Sequence, residues 1–143
     1  MFSSILVSAI LVLNTGGSAL DGPSMSEYKY SKPPATAKCP EWWYLAHQTG
    51  WTRSQMRMLD RIMWRESRCD MMAWNPKDPA GGSFGLMQIN GFWVKWLRNL
   101  GIIEHKLDLS DPEINLTAAL AIWEYAHERH GKGWSPWGFH RKT

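Results

Sequence analysis

The stretch RSQMRMLDRIMWRESR, residues 53–68, decides how the rest of this chain is read. Met56, Leu59, Ile62 and Met63 recur at spacings of three and four, which places them on one face of a helix. Thr52 just ahead, with Gln55 three residues on, has the form of a capping box. The next member of the apolar stripe is not apolar but Glu66. Such a carboxylate is ordinarily a rim residue or half of an ion pair. Arg65 and Arg68 are the basic residues nearby, but positions one and two apart on a helix do not face each other well. A glutamate among Leu, Ile, Met and Trp loses hydration, which disfavours its charged form and raises its pKa. A glutamic acid that keeps its proton near neutral pH can deliver it to a leaving oxygen. Glycosidic bond cleavage needs such an acid.

Outward from this helix, the chain reads as one mostly α domain with a short extended patch. Pro40 opens a short helix over 41–49 that stops at Gly50. Residues 74–85, WNPKDPAGGSFG, are turn-rich, and SFGLMQIN, residues 83–90, reads as extended. FWVKWLRNL, residues 92–100, is helical and ends at Gly101. Asp111-Pro112 caps a last long helix to His130, closed by Gly131, with Ile114, Ala118, Ala121, Ile122 and Tyr125 expected to be buried. An aromatic tail, GWSPWGF, follows.

The 143 residues suit a single folded domain, expected over 39–143. Residues 21–38 are rich in Ser, Pro and Lys and read as a linker. Residues 1–20 carry an apolar run, Ile5 to Leu13, followed by small residues. This is the shape of a signal peptide, although no basic residue precedes the run. A hydrophobic anchor, or a segment that packs on a partner, is the alternative; the run is short for a stable membrane span. Cys39 and Cys69 form an even pair, consistent with a disulfide or with two buried thiols.

A net charge of +3 gives a mild bias toward acidic partners. The longest basic cluster, His140-Arg141-Lys142, is no nucleic-acid stripe, so nucleic acid is not an expected partner. Trp is the outlier, with ten in 143 residues; core filling and surface scatter cover most of them, and the alternative is a groove that holds sugars, peptides or bases. No metal or organic cofactor is expected. His127 and His130 stand three apart on a helix, but no third ligand accompanies them. Asn115-Leu116-Thr117 spells a glycosylation sequon, but inside a helical pattern.

Glu66-Ser67, Asn75-Pro76 and then Gly82-Ser83-Phe84-Gly85-Leu86-Met87-Gln88-Ile89-Asn90 resemble the soluble lytic transglycosylase domain of the lysozyme-like, goose-type lysozyme superfamily. Asn115 followed by Ala118 and Ala119 resembles the same family's later helix. The resemblance spans about residues 41–137. It implies a lysozyme-like fold, with helices around a cleft and a small β-like wall. It implies cleavage of the β-1,4 bond between N-acetylmuramic acid and N-acetylglucosamine in peptidoglycan, with Glu66 as the single acid/base. It further implies that Ser67 orients Glu66, and that Ser83 and Gln88 hydrogen-bond the substrate. Gly85 would let sugar approach the backbone. Asn90 holds the wall or contacts substrate. Strand alternation would put Leu86 and Gln88 on one face, Met87 and Ile89 on the other.

The family's Ala-Tyr-Asn-Ala-Gly segment is replaced here by the GWSPWGF tail. Tyr125 is the one candidate for its tyrosine, with core packing as the competing role, and Trp134 and Trp137 are candidates for an aromatic wall, with simple packing of the C-terminal tail as the equal alternative. Asp70 and Asp78 are the candidates for a second carboxylate, each with a turn as its plainer role. The expected product has 1,6-anhydromuramyl ends, and hydrolysis of the lysozyme type is the alternative. The expected location is secreted, periplasmic or at the cell wall. A wall-binding or structural module of a virion or secretion machine is the alternative from another class.

Overall fold

The computed structural model describes residues 32–140. The expected leader, residues 1–20, and residues 21–31 of the linker lie outside them. A 3-10 turn, Pro40–Trp42, runs into helix α1, Trp43–Gln48. Helix α2 follows as Arg53–Ser67, and the capping box of Thr52 and Gln55 is formed as expected. Three two-residue strands, β1 (Trp74–Asn75), β2 (Ser83–Phe84) and β3 (Ile89–Asn90), make an antiparallel sheet in sequential order. Helix α3, Val94–Asn99, and a 3-10 turn, Lys106–Ser110, lead to helix α4, Pro112–His130. The Asp111 side chain accepts from the Ile114 N–H at 3.0 Å and caps α4. A final 3-10 turn, Ser135–Trp137, ends the fold.

The core is shared between α2, the wall and α4. Met56, Leu59, Ile62 and Met63 of α2 are wholly buried, together with Leu86, Met87, Leu97 and Leu116. Helix α4 is the central element, touching α1, β3, the 3-10 turn before it and the tail. Its buried set is therefore broader than one stripe: Asn115, Leu116, Ala118, Ala119, Ile122 and Ala126. Ile114, Ala121 and Tyr125, expected inside, are only partly covered. Asn115 is fully buried, so its sequon is closed to glycosylation in the folded chain.

The segment SFGLMQIN is a hairpin rather than one extended strand. Ser83 pairs with Asn90 and Phe84 with Ile89, while the Gln88 N–H donates to the Gly85 carbonyl across the turn at 3.1 Å. Gly85 and Gln88 both adopt positive φ, +72° and +45°, which reverses the chain. The two-face alternation expected for an extended strand is thereby lost. Leu86, Met87 and Ile89 are all buried.

Cys39 and Cys69 form a disulfide with Cα atoms 5.5 Å apart. The loop it closes, 30 residues in sequence separation, corresponds to about 3–4 kcal/mol in the chain-entropy model. The bond ties the first segment to the residue just past the C-terminal end of α2. The Trp42 indole adds to it, donating to the Cys69 carbonyl at 2.9 Å.

Candidate active site

The deeply buried carboxylate of α2 is Asp60, which the sequence reading passed over. It is 4% exposed, against 25% for the Glu66 side chain. Position 60 lies four residues after Met56 and three before Met63, so the stripe argument applied to it as well. Its role is structural. Oδ1 accepts from the Cys39 N–H and the Trp43 indole, both at 2.9 Å, and Oδ2 from the Lys38 N–H at 2.9 Å. Three donors compensate the cost of burying the charge and anchor the start of the fold to α2.

Glu66 sits at the last turn of α2, where the helix runs out of the core. It is not enclosed by apolar groups, as its place in the stripe suggested. Its Oε1 accepts from Arg65 Nε at 2.9 Å and also from Arg65 Nη2. Adjacent helical side chains were not expected to pair. They do here because the long Arg65 side chain is held from its far side. Nη2 also donates to the Trp137 carbonyl, and the guanidinium carbon lies 4.6 Å from the centre of the Phe139 ring.

This arrangement joins three elements distant in sequence. The Trp137 indole donates to the Met87 carbonyl at 2.8 Å. A continuous path therefore runs from Glu66 through Arg65 and Trp137 to the hairpin. The hairpin is in turn fastened to α4 by Asn115. Its Oδ1 accepts from the Met87 N–H at 2.9 Å, and its Nδ2 donates to the carbonyls of Phe84 (2.9 Å) and Leu109 (2.7 Å).

The remaining residues of the expected site take mixed places. Ser67 is buried and donates to the Met63 carbonyl at 3.0 Å, so its hydroxyl is satisfied by its own helix and the group bonded to Glu66 is Arg65. A Cβ on Gly85 would lie 2.3 Å from both Asn115 Nδ2 and the Leu109 carbonyl oxygen. Its missing side chain thus admits protein, where a sugar was expected. Ser83 is buried, and its Oγ lies 3.3 Å from Asn90 Nδ2. Asn90 also donates to the Pro79 carbonyl at 2.8 Å and caps the next turn by accepting from the Phe92 N–H at 2.9 Å, the wall-holding role. Gln88 Nε2 donates to the Ala73 and Gly85 carbonyls, both at 3.0 Å. Trp134 and Trp137 are 5% and 8% exposed. They are packed in the core, with Trp134 stacked on Trp51 at 5.4 Å, and Trp134 borders a separate cavity of about 770 Å³ beside Trp43 and Arg57.

Tyr125 does lie at a groove. Two cavities, about 300 Å³ and about 550 Å³, share Trp93 and Tyr125 in their walls. Phe92, Lys95 and Trp96 line the first, and His130, Lys132 and Ser135 the second. Tyr125 meets Trp93 and Trp96 edge-on at 5.8 and 5.3 Å. Trp93 and Trp96 were not singled out from sequence; their position directly after the GLMQIN segment was the available signal.

A family model described as a lysozyme-like domain matches residues 43–139, which takes in Glu66, the hairpin, α4 and the tail. No curated protein and no solved structure matches the chain. No helix among the described residues is long and apolar enough to cross a membrane.

Proposed function

Since the chain belongs to the lysozyme-like domain family, we propose that it cleaves the glycan strand of peptidoglycan with Glu66 as its acid and base. The observation that carries this reading is the position of Glu66. It is the carboxylate that α2 brings out of the core within the matched region, and it is linked through Arg65 and Trp137 to the hairpin. Protonated Glu66 gives its proton to the oxygen between N-acetylmuramic acid and N-acetylglucosamine as the C1–O bond breaks. The carboxylate then takes the proton of the muramyl 6-hydroxyl, whose oxygen closes on C1 to give a 1,6-anhydro end. No cofactor enters either step. Glu66 lines neither of the Trp93–Tyr125 cavities; a glycan laid against its carboxyl would exclude water from it on binding. Trp93 and Tyr125 are the aromatic faces on which sugar rings rest. Gln88 presents its side-chain oxygen to the substrate while its amide nitrogen holds the turn.

Intramolecular attack is favoured over hydrolysis because both candidate second carboxylates are taken up by local turns. Asp70 accepts from the Met72 N–H at 2.8 Å and Asp78 from Asn75 Nδ2 at 2.8 Å. Acting on peptidoglycan places the enzyme outside the cytoplasmic membrane: secreted, periplasmic or in the wall. Mass analysis of products from purified wall glycan tests the reading. Wild type releases anhydro ends, and Glu66→Gln lowers turnover by roughly 10²–10⁴-fold. Reducing ends carrying one added water would instead select hydrolysis. Binding without turnover by either protein would select a non-catalytic wall-binding module.

A further inference from the structure

We propose that Arg65 is a positioning residue for Glu66, clamped by the C-terminal tail, and that only one oxygen of Glu66 exchanges the proton. The proposal rests on the reading of Glu66 as the acid and assigns how that acid is held. Both contacts from Arg65, through Nε and Nη2, fall on Oε1. Oε2 has no hydrogen-bond partner among the described residues. The carboxyl group is thereby fixed in rotation, with Oε1 occupied and Oε2 left as the oxygen that exchanges the proton.

The clamp has a second end. Arg65 Nη2 donates to the Trp137 carbonyl and the guanidinium lies over the Phe139 ring. Those tail residues are themselves fixed, by the Trp137 indole on the Met87 carbonyl (2.8 Å) and the Phe139 N–H on the Trp134 carbonyl (3.2 Å). The planar guanidinium spans carboxylate and carbonyl together, which a lysine ammonium on a shorter reach does not. The Arg65 side chain is 47% exposed, and an ion pair at that exposure contributes little to folding stability. The ion pair's own stability therefore does not account for a guanidinium that bridges Glu66 to the tail. Setting the angle of the acid does, because small displacements of a reacting group carry large rate penalties.

The test measures kcat, KM and Tm on soluble wall glycan for Arg65→Ala, Arg65→Lys, Phe139→Ala and Phe139→Tyr, with Glu66→Gln as reference. Arg65→Ala and Phe139→Ala are expected to lower kcat roughly 10- to 100-fold, with KM within about twofold of wild type, when assayed well below the Tm of each variant; a modest fall in Tm accompanies both, since one frees the Trp137 carbonyl and the other removes a ring packed on the core. Arg65→Lys stays low despite keeping the charge. Phe139→Tyr, which keeps the ring, recovers most of the rate. Wild-type kcat in Arg65→Ala, beside an inactive Glu66→Gln, overturns the proposal and leaves the function intact. A fall in kcat that is seen only near the Tm of each variant also overturns it, since the role is then structural. Wild-type turnover by Glu66→Gln is the separate result that removes the acid itself, and the clamp with it.

Discussion

Replacing Asn115 by alanine is expected to loosen the wall from the helical core. The side chain is fully buried and makes three hydrogen bonds: from the Met87 N–H, and to the Phe84 and Leu109 carbonyls. Alanine leaves all three backbone groups without partners in a place where water does not compensate. At roughly 1–1.5 kcal/mol for each, the loss is about 3–4.5 kcal/mol. For a folded part of this size, about 4 °C per kcal/mol converts this to a fall in Tm of roughly 12–18 °C. Asn115→Asp separates hydrogen bonding from volume. It keeps the acceptor for Met87 and leaves no cavity, but puts a carboxylate oxygen against two carbonyls. It is expected to cost at least as much as alanine. Urea denaturation with the disulfide intact measures the free energy. Amide exchange at Met87 reports whether the hairpin opens ahead of the rest. A loss below about 1 kcal/mol in the alanine variant, or an aspartate variant as stable as wild type, would refute the account of Asn115 as the fastening.

Asp60→Ala strands the Lys38, Cys39 and Trp43 N–H donors and is expected to cost about 3 kcal/mol or more, read by denaturation midpoint; wall-cleaving activity at a permissive temperature should survive, since Asp60 touches none of the residues around Glu66. Asp108 is held below the ordinary carboxylate value of 3.8 by the backbone N–H groups of His105 and Glu104. A depressed folded value means that its stabilisation is present above the unfolded pKa and is lost as pH falls through the folded one. Asp108→Asn should therefore lower Tm near neutral pH, and the gap to wild type should close on acidification. A gap that does not narrow as pH falls through the acidic range would show that the capping charge is not its source.

What was legible from residues alone is what depends on near neighbours. The Thr52–Gln55 capping box and the Asp111 cap with Pro112 are bonds between residues three apart, so their composition announces them. The apolar stripe of α2 and the Glu-Ser…GLMQIN spacing were visible for the same reason. They singled out the helix, the hairpin segment and Glu66, and the family match covers all three. The hairpin itself was misread as a single strand. Its turn uses positive φ at Gln88, a residue with no local preference for it.

The packed chain alone decided the roles of the buried polar groups. Asp60 and Glu66 lie toward the two edges of one apolar stripe, yet one binds three N–H groups in the core and the other emerges beside Arg65. The difference comes from what α2 packs against at each end. Asn115 bonds to Met87, 28 positions away, and Arg65 to the Trp137 carbonyl, 72 positions away. Such pairs leave no period or spacing in the chain. They exist once the core brings the elements together, because a buried polar group must take whichever partner the packing supplies.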